Sequence, residues 1–183
     1  MNQIKIQKSI IIIPLILLAI TMGGCRLVGV QAKYSTTGAS ISPDIKTAAV
    51  LHFQNRASLV QPLLAQKLTE KLKDKILSQT SLKISGNSSG DVVFDGSITS
   101  YTTEPKGAAQ TGQIVSTPIN RLTVTIKVKY TNTKDSKQDF DEQFSRYIDY
   151  SSDKNLESVE ASELDGIVDN LVQDIFNKAF VNW

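Results

Sequence analysis

Apolar and polar positions alternate most regularly between Arg121 and Tyr130. Leu122, Val124, Ile126, Val128 and Tyr130 are interleaved there with Arg121, Thr123, Thr125, Lys127 and Lys129. A period of two puts the first set on one side of a strand and the second on the other, so one face is buried and the other wet. Beyond a polar turn at Thr131 to Lys137, Phe140, Phe144 and Ile148 continue the pattern, which predicts a hairpin. Upstream, Asp91 to Tyr101 reads as a strand with Val92, Phe94 and Ile98 on one parity and Asp95, Ser97 and Thr99 on the other. Lys46 to Phe53 contains the continuous apolar run Ala48 to Leu51, the pattern of a short strand covered on both faces. Leu82 to Ser85 predicts a brief strand before the turn Gly86 to Gly90.

Two segments have helical period. Leu64, Leu68, Leu72 and Ile76 recur every four residues among lysines, and Pro62 stands where a first helical turn tolerates proline. Leu164, Ile167, Val168, Leu171, Val172, Ile175 and Phe176 follow i, i+3, i+4, i+7 spacing, with Ser158 or Ser162 as the expected cap. Each helix has one apolar stripe, so the pair covers one side of the sheet. The expected fold is α+β: a two-layer α/β sandwich, two helices on one face of a mixed, mainly four-stranded sheet. A helix after the first strand predicts a right-handed parallel crossover, with antiparallel strands beyond it. Residues 102–120, rich in Gly, Ala, Thr and Gln with Pro105 and Pro118, are expected as a long loop, mobile or ordered by a partner.

The N-terminus has a different pattern. Lys5 and Lys8 precede the apolar stretch Ser9 to Ile20, and Gly23 and Gly24 come directly before Cys25, the layout of an export signal. Met22-Gly23-Gly24-Cys25 resembles the lipobox of bacterial lipoproteins, with Met22 in place of the usual Leu. That resemblance implies cleavage before Cys25 and a diacylglycerol on its sulfur. The 17 uncharged residues between Lys8 and Arg26 reach the lower edge of a spanning helix, so an uncleaved transmembrane anchor is the alternative, which the short apolar run and the Gly-Gly-Cys sequence fit less well than cleavage. The expected organisation is a signal peptide over 1–24, a lipidated tether with a short extended segment over 25–44, and a globular domain over 45–183.

Charge changes its meaning once the signal is set aside. The net charge of +2 comes from 20 basic against 18 acidic residues, and Lys5 and Lys8 leave with the signal. The exported chain is therefore neutral, and the hint of nucleic-acid binding disappears. No aromatic platform is interleaved among the cations either. Cys25 is the one cysteine in the chain, so no intramolecular disulfide forms. The charges are nevertheless segregated by sequence: Lys106 to Lys137 holds six bases and one acid, whereas Asp153 to Asp174 holds seven acids and one base. Arg121, Lys127 and Lys129 share one strand face, which makes them the candidate contacts for the phosphates of an anionic glycolipid. A solvated strand face with lysines that discourage edge pairing is the alternative.

Catalytic chemistry finds little footing. A nucleophilic triad needs a histidine, and the one present, His52, ends a buried strand in the place of a structural or partly exposed side chain. No second His or Cys completes a zinc set. Asp139, Asp141 and Glu142 lie beside a polar turn, and Gly86 to Gly90 lacks the spacing of a phosphate loop. No catalytic residue, metal or cofactor is expected.

Several segments together resemble one family. They are Cys25, Tyr34-Ser35-Thr36-Thr37-Gly38-Ala39-Ser40-Ile41, Lys46-Thr47, Phe53-Gln54-Asn55-Arg56-Ala57, Leu77-Ser78-Gln79-Thr80, Asn120-Arg121-Leu122-Thr123-Val124, and the tail Asp174 to Trp183. In order and spacing they resemble the LptE lipopolysaccharide-assembly lipoproteins, in a branch divergent from the enteric members. The resemblance implies a non-catalytic outer-membrane lipoprotein with N-acyl and S-diacylglycerol chains on Cys25. It also implies that the chain plugs the lumen of an LptD-type β-barrel, helps that barrel assemble, and binds lipopolysaccharide. After Cys25 comes Arg26-Leu27-Val28, with no Asp that would suggest inner-membrane retention; by resemblance, the chain faces the periplasm. A free-standing lipid carrier, which needs an internal apolar cavity, is the alternative function.

Overall fold

The computed structural model describes residues 41–59, 61–106 and 118–181. The signal peptide, Cys25, the tether up to residue 40 and the last two residues lie outside the described residues. The elements run β1 (Thr47–Val50), β2 (Gln54–Asn55), α1 (Leu64–Gln79), β3 (Lys83–Ile84), β4 (Val92–Lys106), β5 (Ile119–Asn132), a 3-10 turn (Ser136–Gln138), β6 (Phe140–Ser151) and α2 (Leu156–Phe180). One sheet has the order β3-β1-β4-β5-β6, and β2 pairs with β4 further along the line of β1. The two-layer expectation holds, with six strands in place of a mainly four-stranded sheet: the brief strand expected at Leu82 to Ser85 is β3, and β2 is a two-residue pairing too short to show a period. β1 is parallel to β3 and to β4, and β4, β5 and β6 form an antiparallel meander.

The core lies between the sheet and both helices. All five even positions Leu122 to Tyr130 of β5 are buried against Leu64, Leu68, Leu72 and Ile76 of α1 and Leu164, Ile167, Val168, Leu171, Ile175 and Phe176 of α2 in one cluster. Phe94, Tyr130, Phe140, Phe176 and Phe180 form an aromatic group at one end, with ring centroids 4.9 to 6.3 Å apart. Such tilted and edge-on pairs add to area burial. The acidic run of α2 is partly spent inside the domain. Lys67 meets Asp165 at 2.7 Å and Lys71 meets Asp169 at 2.6 Å, joining the helices, while Arg146 binds Asp174 and Lys178 meets Glu142 at 2.7 Å, joining α2 to β6. Three of the seven acids of that run, Asp165, Asp169 and Asp174, are thus paired with bases of α1 and β6.

Three local features depart from the sequence reading. β4 continues to Lys106 and β5 starts at Ile119, so the connection is much shorter than 102–120. The Thr-rich end of β4 pairs in register with Leu122, Arg121 and Asn120, where β-branched side chains suit a half-buried pleat. Residues 107–117 lie outside the described residues. A bulge between Ile98 and Ser100 flips the parity of β4, turning Tyr101 into the core, where its hydroxyl bonds Glu160 of α2. Burial, reinforced by Glu160, holds that phenol above its ordinary pKa. Finally, Asn155 and not a serine caps α2: its side chain accepts from the Ser158 N–H at 2.8 Å.

The break between β1 and β2 reverses alternation too. His52 is exposed, and Phe53 is the residue that turns inward. The Phe53 N–H donates to Thr69 Oγ1 (3.0 Å), whose hydroxyl donates to the Ala65 carbonyl (2.7 Å), so a buried break in the sheet is satisfied by α1. The Phe53 ring occupies the space above Gly96, where an added Cβ would fall 2.3 Å from it. Gly96→Ala is expected to lower stability by about 1–3 kcal/mol through overpacking. Gly166→Ala, on the open face of α2 with nothing within 4 Å of its Cβ position, should raise it by about 1 kcal/mol. Urea denaturation of the two variants checks both signs.

Asp91 joins three elements at one end of the sheet. Its Oδ2 accepts from the Lys46 N–H (2.9 Å), the Thr47 N–H (3.0 Å) and the Thr47 hydroxyl (2.9 Å), while its own N–H donates back to Thr47 Oγ1 (2.9 Å). Its carbonyl accepts from the Thr133 N–H (2.8 Å), and Lys134 stands 3.3 Å from Oδ1. The Lys46 N–H above all, then the Thr47 hydroxyl, holds this carboxyl well below the usual carboxylate range. A lowered folded pKa stabilises the fold above the unfolded value of about 3.9 and ceases to do so as pH falls through the folded value. Asp91→Ala should therefore lower the melting temperature at pH 7, and the gap from the parent should close as both are titrated from pH 4 toward pH 2.

Candidate functional site

Because both helices lie on one side, the other face of β4, β5 and β6 is an open surface among the described residues. Register sets its rows. Lys129 lies between Asp95 and Asp141, Lys127 between Ser97 and Gln143, Thr125 between Ser100 and Ser145, Thr123 between Thr102 and Tyr147, and Arg121 between Glu104 and Asp149. The central rows carry hydroxyls, with Thr125 and Ser145 oxygens 3.1 Å apart. Charges collect at the two ends. With Lys106, the face holds four bases against the four acids Asp95, Glu104, Asp141 and Asp149.

Arg121, Lys127 and Lys129 do share this face, as their parity predicts, but they are not a bare basic stripe. Arg121 makes a two-pronged contact with Asp149, Nε to Oδ1 at 2.6 Å and Nη2 to Oδ2 at 2.7 Å. Its guanidinium also lies 3.8 Å from the ring centroid of Tyr147. The hydrogen bonds from Arg121 hold the Asp149 carboxyl below its ordinary value, and Asp149 holds the guanidinium above its own. Lys127 is 3.0 Å from Asp141. Lys129 is exposed, and among the described residues no carboxylate pairs with it. Strand alternation was enough to place the three cations. It did not reveal Tyr147 and Asp149, whose role depends on the pairing register of β6 with β5.

Elsewhere, among the described residues, the surface offers two grooves. One of about 460 Å³ is lined by Ile41, Pro43, Ile45, Lys46 and Lys83, and another of about 480 Å³ lies between α1 and α2 beside Lys71, Lys75 and Gln173. Among the described residues no three His, Cys, Asp or Glu side chains gather as metal ligands. No described helix is long and apolar enough to cross a membrane.

The family model described as LptE, lipopolysaccharide-assembly, matches residues 45–179, from the start of β1 to the end of α2. The chain belongs to the LptE family. The family sequence thus spans both helices and the whole open face. Among solved structures, a minor lipoprotein from Acinetobacter baumannii is similar at 14% identity, with a TM-score of 0.43, over 72% of this chain and 89% of that one. Lipoprotein B from Nitrosomonas europaea is similar at 10% identity, with a TM-score of 0.44, over 72% of this chain and 79% of that one. Such likenesses transfer no activity. Comparison with curated proteins finds no match.

The Arg121–Asp149 pair is directly testable by titration. In Arg121→Ala the Asp149 carboxyl should rise back toward about 3.9, observed by following its side-chain carbon by NMR between pH 2 and pH 6. A carboxyl that titrates identically in the parent and the variant would show that the pair does not persist in solution.

Proposed function

We propose that this LptE-family chain is anchored by lipid on Cys25 to the outer membrane and plugs the lumen of an LptD-type β-barrel from the periplasmic side. There it assists assembly of the barrel and insertion of lipopolysaccharide. The carrying observation is the open sheet face: one whole side of the domain is polar, hydroxyl-rich and charge-balanced, which suits a wet barrel interior better than an apolar one. Family membership over residues 45–179 supports the lipopolysaccharide part of the reading. Nothing in the proposal requires a catalytic step; the chain binds and positions.

Within it, Lys129 and Lys127 meet lipopolysaccharide phosphates. Lys129 has no ion-pair partner among the described residues, and Lys127 shares its charge with one exposed carboxylate. Exposed pairs of that kind are weak enough for a phosphate to displace. Arg121 contributes less to phosphate binding, since Asp149 already satisfies it at two nitrogens.

Affinity purification of the full-length chain from mildly solubilised membranes is expected to bring down a large β-barrel protein. Lys127→Asp with Lys129→Asp should weaken binding of intact lipopolysaccharide about tenfold or more while leaving circular dichroism and barrel recovery unchanged. Loss of the barrel under conditions that keep the parent folded would overturn the plug; unaltered lipopolysaccharide binding would assign the lysines to solubility.

A further inference from the structure

The Arg121 end of the open face has a chemistry that phosphate binding does not use. Tyr147 is the exposed aromatic ring of the face, with 56% of its surface accessible. Beside it, the guanidinium of Arg121 and the carboxylate of Asp149 are locked together at 2.6 and 2.7 Å into one planar, two-pronged unit, with Arg121 stacked 3.8 Å from the ring centroid. Thr123 and Thr102 complete the row, and Ser145, Thr125 and Ser100 form the next. The charges here cancel: Lys106 lies 3.0 Å from Glu104, and Arg121 is taken by Asp149. A phosphate at this spot would have to break the two-pronged Arg121–Asp149 contact, whereas at the other end Lys129 has no ion pair among the described residues.

An uncharged polyol has no such conflict. Its C–H face stacks on an aromatic ring, and its neighbouring hydroxyls are spaced to bond a planar pair that offers donors on one side and acceptors on the other. The hydroxyls of the threonine and serine rows, Thr125 and Ser145 bonded to each other among them, extend that pattern across three strands. We propose that Tyr147, with the Arg121–Asp149 pair beside it, is a docking platform for a neutral oligosaccharide. Tyr147 pairs with Thr123, which lies about 14 Å along β5 from Lys127 and about 20 Å from Lys129, at about 3.4 Å per residue. The proposal rests on the lipopolysaccharide reading for its choice of saccharide, and places the sugar portion at the Arg121 end while the phosphates meet the Lys127 end.

The test uses the full-length lipoprotein in detergent and two probes: core oligosaccharide freed of lipid and phosphate, and intact lipopolysaccharide. Oligosaccharide added to the parent should shift amide signals of Thr123, Ser145 and Tyr147. Tyr147→Ala should weaken that binding about tenfold, the worth of one aromatic stack, and Tyr147→Phe should preserve it. Arg121→Lys, which keeps the charge and loses the planar fork, should weaken it as well. Tyr147 is exposed, so the melting temperature of its variants should match the parent's. The platform is overturned if the stripped oligosaccharide does not bind while intact lipopolysaccharide does, or if Tyr147→Ala binds it as the parent does. It is equally overturned if the Tyr147 and Arg121 changes abolish barrel recovery and leave oligosaccharide binding alone, because the face end is then a protein contact. Failure of intact lipopolysaccharide to bind at all counts against the broader function as well, so the two readings fail separately.

Discussion

One-sided burial of β5 is the constraint on which both the core and the open face depend. The central strand puts Leu122, Val124, Ile126, Val128 and Tyr130 wholly under the helices and Arg121, Thr123, Thr125, Lys127 and Lys129 on the other side. Each large apolar side chain buried contributes roughly 1.5–3 kcal/mol, so five in a row contribute on the order of 10 kcal/mol. That is comparable with the whole stability of a domain. A slip of one residue would exchange the two faces, losing the core and scattering the site in a single step. Register is therefore held hard, and the same force that buries the valines presents the cations.

The helices complete this arrangement by being amphipathic on opposite terms. Their apolar stripes meet the sheet, while Lys67, Lys71, Asp165 and Asp169 join them to each other and Arg146 and Lys178 join α2 to β6. Exposed pairs of this kind stabilise little individually. Their larger consequence is connectivity: Asp165, Asp169 and Asp174, close together along the chain, are tied to bases on two other elements. The edge strand β6 carries Glu142 and Arg146 on its helix side, between Phe140, Phe144 and Ile148. Both are exposed and ion-paired to α2, and charges on an edge strand discourage edge-to-edge pairing.

The open face joins the two proposals. Its lysine end and its arginine end have equal numbers of acids and bases, yet differ in how those charges are held. At one end Lys129 projects between two carboxylates without an ion pair among the described residues; at the other, Arg121 is fixed by Asp149 and by stacking on Tyr147. An exposed cation without such a pair suits a phosphate. A fixed planar pair beside a ring suits a polyol or a rigid polar wall.

Alternation and helical spacing were sufficient to read α1, α2, the hairpin of β5 and β6, and the side of β5 on which Arg121, Lys127 and Lys129 stand, because each is a local periodicity. The bulge at Ile98, the inward turn of Phe53 over Gly96 and the length of β4 were not legible, since each is a residue out of step that only a neighbouring strand or helix can reward. The same holds for chemistry. The chain alone determined that the cations share a face and that it holds one histidine and one cysteine. Only the pairing of β6 against β5 decided that Arg121 belongs to Asp149 and Tyr147, 28 and 26 residues away in sequence. Side-chain period is a property of one strand, whereas the partner of a charge is a property of two.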